Sequence, residues 1–432
     1  MDDRLLALRM AAWMEGHLSE PETGLGPELA RISGYSENRL RQKFYNAAGE
    51  TPAGYLRKRR LTEAARALLS GAPIADVALS YGYSSQDNFT TAFKSWFGLN
   101  PGELRAADAK YRVFLARMKE PLTIMQFSKL EQGGLATTLM GCLRGASDFF
   151  DLDWSTPKLF GYSSHAFLLN VHKELCPSSP YVWKHDAFYR ALRGLGIRRS
   201  ASICLEKGAG AEAIRGAEER VRSHLDQGKL CILDYLEHQL VAGYDSKGFQ
   251  FLLPWKGSCG AELPVLSFGS WSEALEAEGW VQFTFLEKEE DRPEEASLLP
   301  AALAAALRAR SAPEELELPG YRAGDAAWEA WIAGVGRGLG SSHGHWWNGT
   351  VWEECRSMAA DFFVEVEPLA RGPRAAGLCR ELSALYRDCA ARLGAAKDKA
   401  AAPALQAAAL AEGRELDRRG EALMRELLAA VA

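Results

Sequence analysis

Two short stretches of the chain carry polar residues at the spacing of one helix face. In the first stretch they recur every three or four residues, and these positions are Asn38, Arg41, Gln42 and Tyr45. The second stretch contributes Gln86, Asp87, Thr90, Thr91 and Lys94. Arg, Asn and Gln side chains match the edges of bases, while Thr and Lys contact bases or phosphates. These two polar faces have the chemistry of a base-reading surface, although a solvated helix face has a similar composition.

The helices that carry the polar faces belong to two copies of one motif. GYSENRLRQKF at 34–44 recurs, with one inserted residue, as GYSSQDNFTTAF at 82–93. In each copy an alanine lets two helices approach, a glycine takes the turn and a serine caps the second helix; these are Ala30, Gly34 and Ser36, then Ala78, Gly82 and Ser84. The pattern predicts two helix-turn-helix units. Because Asp87 follows Ser84 at the spacing of a capping box, its carboxylate serves either the helix start or a base.

A cluster of basic residues accompanies the first copy. Residues 31–67 contain nine basic and three acidic side chains, whereas the whole chain has 51 basic and 56 acidic residues. Positive charge at this density neutralises phosphates, and binding that depends on it weakens steeply with added salt. The sequence therefore predicts phosphate contacts from the run Arg57, Lys58, Arg59 and Arg60, with a solvated helix face as the alternative.

Four segments together resemble the DNA-binding domain of the AraC/XylS family of bacterial transcriptional regulators. They are residues 30–44, the run GETPAGYLRKRRL at 49–61, the predicted helix at 62–69 and residues 73–101. The resemblance implies two helix-turn-helix units, joined by a long helix, that enter successive major-groove segments of double-stranded promoter DNA. It assigns base contacts to Asn38, Arg41, Gln42, Gln86, Asp87, Thr90 and Thr91. Thr91 stands where relatives commonly carry a basic residue, which predicts a weaker grip by the second unit.

Composition limits the classes to which the whole chain can belong. No segment approaches the roughly 20 apolar residues of a membrane helix, and the start MDDRLLALRM lacks the order of a secretory signal. These features predict a cytoplasmic protein with no membrane partner and with reduced cysteines. The eight cysteines show no C-x-x-C pair and no zinc-like spacing with histidine, so we expect no metal and no cofactor.

Four regions follow from the pattern of elements. A DNA-binding domain covers 1–107 and a linker helix covers 108–121, because Pro121 marks its end. Residues 122–290 mix strands and helices, with KLCILDYL at 229–236 and HQLVAGYD at 238–245 as two of the strand-like stretches. Residues 291–432 are helical and rich in alanine, and the last stretch from Ala396 docks on the body or pairs two subunits.

Cys142 and His238 suggest a nucleophile and its base. Cys142 follows Gly141 where a loop enters a helix, and a helix N-terminus lowers a thiol pKa. His238 opens a later strand, and a histidine there takes the thiol proton in papain-like enzymes. An orienting acid is missing, because Leu253 stands where one is wanted and Asp245 lies in a turn. A buried cysteine and a satisfied histidine are therefore favoured over a catalytic pair.

A second resemblance covers this part of the chain. Residues 141–171, with the LFG run at 159–161, and residues 228–255 resemble the N-terminal domain of butirosin biosynthesis protein H, a papain-like family that includes acyl-transfer enzymes. The resemblance implies a cleft marked by Cys142 and His238 that keeps its shape for ligand binding. The fold class is then multi-domain: an all-α double helix-turn-helix domain, an α+β papain-like domain and a C-terminal helical region.

Tryptophans are concentrated in the last region. Five of the twelve lie between residues 328 and 352. Trp328 and Trp331 are helical neighbours and predict core packing, whereas Trp346, Trp347 and His345 lie in a glycine-rich break and serve either packing or an apolar or cationic ligand. The candidate ligand contacts are Cys142, His238, Trp255, His345, Trp346 and Trp347.

Two function classes emerge from these features. The favoured one is a regulator that binds promoter DNA and senses a small-molecule effector, as a monomer or homodimer and with RNA polymerase as a possible partner. Its sensor is acidic, since residues beyond 107 carry 38 basic and 44 acidic side chains. The alternative is a DNA-tethered cysteine hydrolase or acyltransferase that uses Cys142 and His238.

Overall fold

The structure is a computed structural model that describes residues 3–20, 25–104, 125–127, 130–235, 237–245, 248–255, 265–268, 271, 274–276 and 279–431. The chain forms two compact units. The first comprises Met1–Gln126 and Gly243–Phe249, and the second comprises Phe127–Ala242 and Gln250–Ala432. The predicted linker helix at 108–121 lies outside the described residues.

The first unit is built from short helices around one longer helix. Its helices are α1 Asp3–Gly16, α2 Leu25–Ser33, α3 Glu37–Ala48, α4 Pro52–Leu69, α5 Ile74–Ser80, α6 Gln86–Phe97 and α7 Pro101–Leu104. Helix α4 begins where Pro52 takes the first helical position, and the Thr51 hydroxyl accepts a hydrogen bond from the Gly54 amide at 3.2 Å. The helix-turn-helix pairs are therefore α2 with α3 and α5 with α6, and the continuous helix α4 joins them.

Each pair is held together by its own apolar cluster. In the first, Leu40 and Phe44 of α3 pack with Tyr55 of α4 and with residues of α1. In the second, Phe89 and Phe93 of α6 pack with residues of α4 and α5. The turn residues Gly34 and Gly82 have φ of 73° and 78°, a backbone region that side chains disfavour. The apolar spacing thus places the predicted core residues inward.

The second unit combines a sheet with helices. Helices α8 Thr138–Phe149, α9 Thr156–Tyr162, α10 Asp186–Gly194 and α11 Ala211–Asp226 accompany the strands, and α12 Leu298–Ser311, α13 Gly324–Gly336, α14 His343–Val366, α15 Pro373–Ala396 and α16 Pro403–Val431 follow them. The described strands, of which β1 and parts of β5 and β6 fall in the first unit, are β1 Met125–Gln126, β2 Asn170–His172, β3 Ile197–Glu206, β4 Leu230–Asp234, β5 His238–Tyr244, β6 Gly248–Phe251, β7 Val265–Ser267, β8 Trp280–Lys288 and β9 Tyr321–Ala323.

The main sheet has the described strand order β3–β8–β4–β5–β6–β7, with β1 alongside β5, while β2 pairs with β9. Strands β4 and β5 are antiparallel, and their register sets Asp234 opposite His238. Both strands are buried along their whole length. The positions of Asp234 and His238, at the turn between β4 and β5, are therefore fixed by these two buried strands.

One apolar cluster extends through both predicted regions of this unit. It contains residues of α8 and β4 as well as residues of α13 to α16, so the predicted boundary at 290–291 lies inside a continuous core. Helix α16 is tied in by Asp417, which is fully buried and pairs with Arg310 at 2.7 Å and with Arg356 at 3.2 Å. The C-terminal stretch therefore docks on the body of its own chain.

Candidate functional site

The first polar face lies on the solvent side of α3. Asn38, Arg41, Gln42 and Tyr45 are all exposed, while Leu40 and Phe44 on the opposite side are buried. The Gln42 amide nitrogen donates to the Asn46 side-chain oxygen at 2.8 Å. Helix α3 starts at Ser36 without the predicted side-chain cap, because the Ser36 hydroxyl accepts no hydrogen bond from the first turn.

The second polar face lies on α6. Gln86, Asp87, Thr91 and Lys94 are exposed and Thr90 is half-buried. The cap of this helix is Ser85 rather than the predicted Ser84, since the Ser85 hydroxyl accepts from the Asn88 amide at 3.2 Å. Ser84 instead accepts from the Asn88 side chain at 2.9 Å. The predicted pairing of Ser84 and Asp87 as a capping box is therefore wrong.

The basic run on α4 is divided between the interior and the surface, which corrects the prediction for two of its members. Arg59 is 2% exposed and donates to both Glu15 carboxylate oxygens at 2.8 Å and to Glu63 at 2.8 Å. Arg60 is 5% exposed and donates to the backbone carbonyl of Leu18 at 2.8 Å. These two guanidinium groups hold the end of α1 and the residues after it against α4, and these hydrogen bonds are all made within the protein.

The other two residues of the run remain phosphate candidates. Arg57 is exposed, whereas Lys58 is half-buried, pairs with Glu50 at 2.8 Å and lies 4.9 Å above the Trp96 ring. Helical spacing distinguishes the two kinds of residue, because Arg59 follows the buried Tyr55 by four positions and therefore shares its face. The burial of Arg59 could therefore have been predicted from its spacing to Tyr55 in the sequence.

Cys142 is not at a helix start, contrary to the prediction. Helix α8 begins at Thr138, so Cys142 lies a full turn inside it and is fully buried. Burial, with the nearby carboxylates of Asp234 and Glu237, raises the pKa of the Cys142 thiol well above its ordinary value. A thiol in this position is a poor nucleophile, and Cys142 does not line the cavity described below.

His238 opens β5 as predicted, and the structure supplies the acid that sequence reasoning did not find. The Asp234 Oδ1 atom lies 3.3 Å from His238 Nε2, an ion-pair distance whose geometry makes no hydrogen bond. Burial lowers the pKa of His238, an effect that Asp234 partly opposes. The sequence signal for Asp234 is an acid that ends the apolar strand LCILD directly before a short turn.

A cavity of about 1170 Å³ opens beside this pair in the second unit. Its wall is largely aromatic and includes Tyr181, Trp183, Tyr189, Trp255, Trp346 and Trp347, and its polar lining includes His185, Arg199, Asp234, Glu237, His238 and Gln282. Sites for drug-sized ligands usually measure about 300–1,000 Å³. This cavity is slightly larger. Sequence reasoning did not identify Tyr181, His185, Asp234 or Glu237.

The tryptophans of the cavity are held in place by hydrogen bonds and ring contacts. Trp347 donates to the Tyr181 hydroxyl at 3.0 Å, and its ring meets the Trp255 ring edge-on at 5.7 Å. Trp346 packs on Trp347 at 5.7 Å. Trp346 and Trp347 belong to α14, so the glycine-rich break is shorter than predicted. Trp255, Trp346, Trp347 and His238 line the same cavity, as the prediction of a shared ligand site requires.

His345 is a structural residue rather than a ligand contact, which corrects the prediction. It is fully buried; its Nδ1 accepts from the Trp331 indole at 2.9 Å and its Nε2 donates to the Ala396 carbonyl at 2.7 Å. Because an indole nitrogen only donates, this network fixes the neutral tautomer. Trp328 and Trp331 are fully buried, in agreement with core packing.

Two negative findings apply to the described part of the chain. Within it, no group of three or more His, Cys, Asp or Glu side chains is arranged to hold a metal ion. No helix in the same residues is long and apolar enough to cross a membrane.

Two helix-turn-helix pairs with exposed polar faces define the first unit as a double helix-turn-helix domain. A family model described as a helix-turn-helix domain matches residues 29–107. The chain is 42% identical over 94 residues to the probable transcription factor PqrA of Proteus vulgaris, covering 22% of this chain and 77% of that protein. The chain therefore belongs to the AraC family of helix-turn-helix transcriptional regulators.

Two longer relatives match the same end of the chain. Transcriptional regulator Rob of Salmonella typhimurium is 34% identical over 129 residues, which are 30% of this chain and 43% of that protein. Right origin-binding protein of Escherichia coli is 34% identical over 132 residues, which are 30% of this chain and 44% of that protein. The chain thus spans less than half the length of these two relatives.

Proposed function

We propose that the chain is a transcriptional regulator that binds promoter DNA through both helix-turn-helix units and responds to a small molecule in the cavity of its second unit. The observation that carries the proposal is the pair of exposed polar faces on α3 and α6, in a chain of the AraC family. The small-molecule effector, contact with RNA polymerase and action as a monomer or homodimer are parts of this proposal.

The polar faces support DNA binding through their chemistry and their spacing. Helix α4 has 18 residues and is therefore about 27 Å long, which separates the two pairs by a distance similar to one turn of DNA. Arg41 and Gln42 on α3, and Gln86 on α6, carry side chains that form bidentate contacts with bases. In this proposal α3 enters one segment of the major groove and α6 enters the next segment on the same duplex.

The cavity supports sensing rather than catalysis. A concave aromatic wall with convergent polar groups is the usual form of a small-molecule site. A cysteine hydrolase or acyltransferase needs an accessible thiolate, whereas Cys142 is buried and its pKa is raised. The relationship to papain-like proteins remains a proposal, in which the binding cleft is kept without a nucleophile and without a cofactor.

Selection from a random duplex library by the full chain tests the DNA-binding proposal. We expect enrichment of a bipartite site with halves about 10 base pairs apart. Arg41→Ala should weaken binding to that site by about 1–3 kcal/mol and leave weak non-specific binding largely intact. Equal loss on every sequence would make Arg41 a phosphate contact, and a library without enrichment would overturn the proposal.

A further inference from the structure

We infer that the cavity of the second unit binds an organic cation with an aromatic or apolar body, and that Asp234 is the counter-charge for that cation. The inference rests on the proposed function only in taking the cavity as the effector site. It is carried by one buried acidic oxygen that makes no hydrogen bond with the described residues, by the charge of the lining and by the aromatic wall.

Asp234 presents a buried acceptor that makes no hydrogen bond with the described residues, although His238 Nε2 lies 3.3 Å from it at an unfavourable angle. Its side chain is 6% exposed, and its Oδ2 atom accepts from Gln282 at 2.8 Å and from Thr284 at 3.0 Å. Its Oδ1 atom is buried and accepts no hydrogen bond from the residues that the structure describes. Buried carboxylate oxygens are almost always bonded, so a donor from a ligand is the natural partner for this atom. Asp234 lines the cavity.

The charge of the lining favours a cation over an anion. Glu237 brings a second carboxyl group, which accepts from the Thr138 hydroxyl at 2.8 Å. The guanidinium of Arg199 already neutralises one protein carboxylate, since it pairs with Asp186 at 2.6 Å, and it lies 4.3 Å above the Tyr189 ring.

Two histidines of the lining, His185 and His238, add no positive charge near pH 7. Burial lowers the pKa of His185 to about 3, with smaller contributions from the neighbouring histidines and Arg199. Burial also lowers the pKa of His238. An anionic ligand would therefore meet the carboxyl groups of Asp234 and Glu237 and a guanidinium that already pairs with Asp186. A neutral apolar ligand would leave Asp234 Oδ1 without a donor.

The aromatic wall suits a delocalised or quaternary cation. Trp255, Trp346 and Trp347 form a continuous set of rings, and a cation over such faces gains from the ring quadrupole. The same surface supplies apolar area for the body of the ligand.

Calorimetric titration of the full chain with two ions of nearly equal size tests the inference. Tetraphenylphosphonium is a permanent cation and tetraphenylborate is the matching anion, so a difference in affinity reports charge. We expect saturable binding of the phosphonium and a dissociation constant about tenfold higher in Asp234→Asn. The control is Asp361→Asn, which removes a surface carboxylate of the same unit that pairs with Arg387, and it should leave the affinity unchanged.

Three results would overturn the inference: no phosphonium binding, borate binding of equal strength, or unchanged affinity in a folded Asp234→Asn variant. Should that variant unfold, Glu237→Gln replaces it, and the phosphonium affinity must then fall. Equal binding of both ions would reject the ligand class and still leave a small-molecule cavity. Failure of the library selection would instead reject the proposed DNA binding and leave the calorimetric result standing.

Discussion

Arg57 and Arg59 are two residues apart on α4 and provide a matched test of which basic residues serve the fold and which serve DNA. Arg59→Ala leaves the carboxylates of Glu15 and Glu63 without their shared partner. Breaking a buried ion pair costs about 3–5 kcal/mol. Because these carboxylates are each 24% exposed, water replaces part of the lost interaction. We therefore expect a loss of about 2–3 kcal/mol in the first unit.

Hydrogen exchange of the full chain, followed on peptides from α1 and α4, measures this loss of stability in the first unit separately from the stability of the second unit. A change of 2–3 kcal/mol speeds exchange by about 30-fold to 150-fold. Arg57→Ala should leave exchange unchanged and instead reduce the salt slope of DNA binding by about one unit. The reasoning fails if Arg59→Ala keeps the exchange rates of the wild type and lowers the salt slope as Arg57→Ala does.

Two further predictions follow from buried titratable groups. Burial lowers the pKa of His165 to about 3, so its contribution to stability is present above about pH 6.5 and is lost as the pH falls towards 3. The free energy of unfolding, measured with urea, should fall less between pH 7 and pH 5 in His165→Phe than in the wild type, by about 2 kcal/mol. The same fall in both proteins would contradict the assignment. Iodoacetamide should label the exposed Cys204 and spare Cys142 in the folded chain, as peptide mass spectrometry can establish; Cys142 labelling at neutral pH would revive the enzyme hypothesis.

Sequence reasoning was strongest where local rules decide the outcome. Turn glycines and helix periodicity predicted both helix-turn-helix pairs, because Gly34 and Gly82 need positive φ and the apolar positions repeat at 3.6 residues. The same local rules misassigned the cap of α6, since two adjacent serines compete and the backbone selects Ser85. Strand β3 was missed because it lies at an edge of the main sheet and its alternation is interrupted by RRS.

The candidate site was harder to predict because distant segments build it. Tyr181 and His185 come from a stretch without a motif, and they meet Trp347 and His238 only through tertiary packing. The burial of Arg59 likewise depends on Glu15, which lies 44 positions earlier. The spacing of apolar residues in α4 predicts which face of the helix is buried. It does not predict that Glu15 of α1 is the acid that pairs with Arg59 on that face.

The register of β4 and β5 sets Asp234 opposite His238. Both side chains are anchored by a buried antiparallel pair, and the register that sets them opposite each other depends on the core of β4 and β5. Moving either residue would therefore disturb the sheet. Cys142 is buried in α8, and Asp234 Oδ1 lies in an aromatic cavity without a hydrogen bond from the described residues, with His238 Nε2 3.3 Å away. That combination favours holding a charged ligand over transforming one.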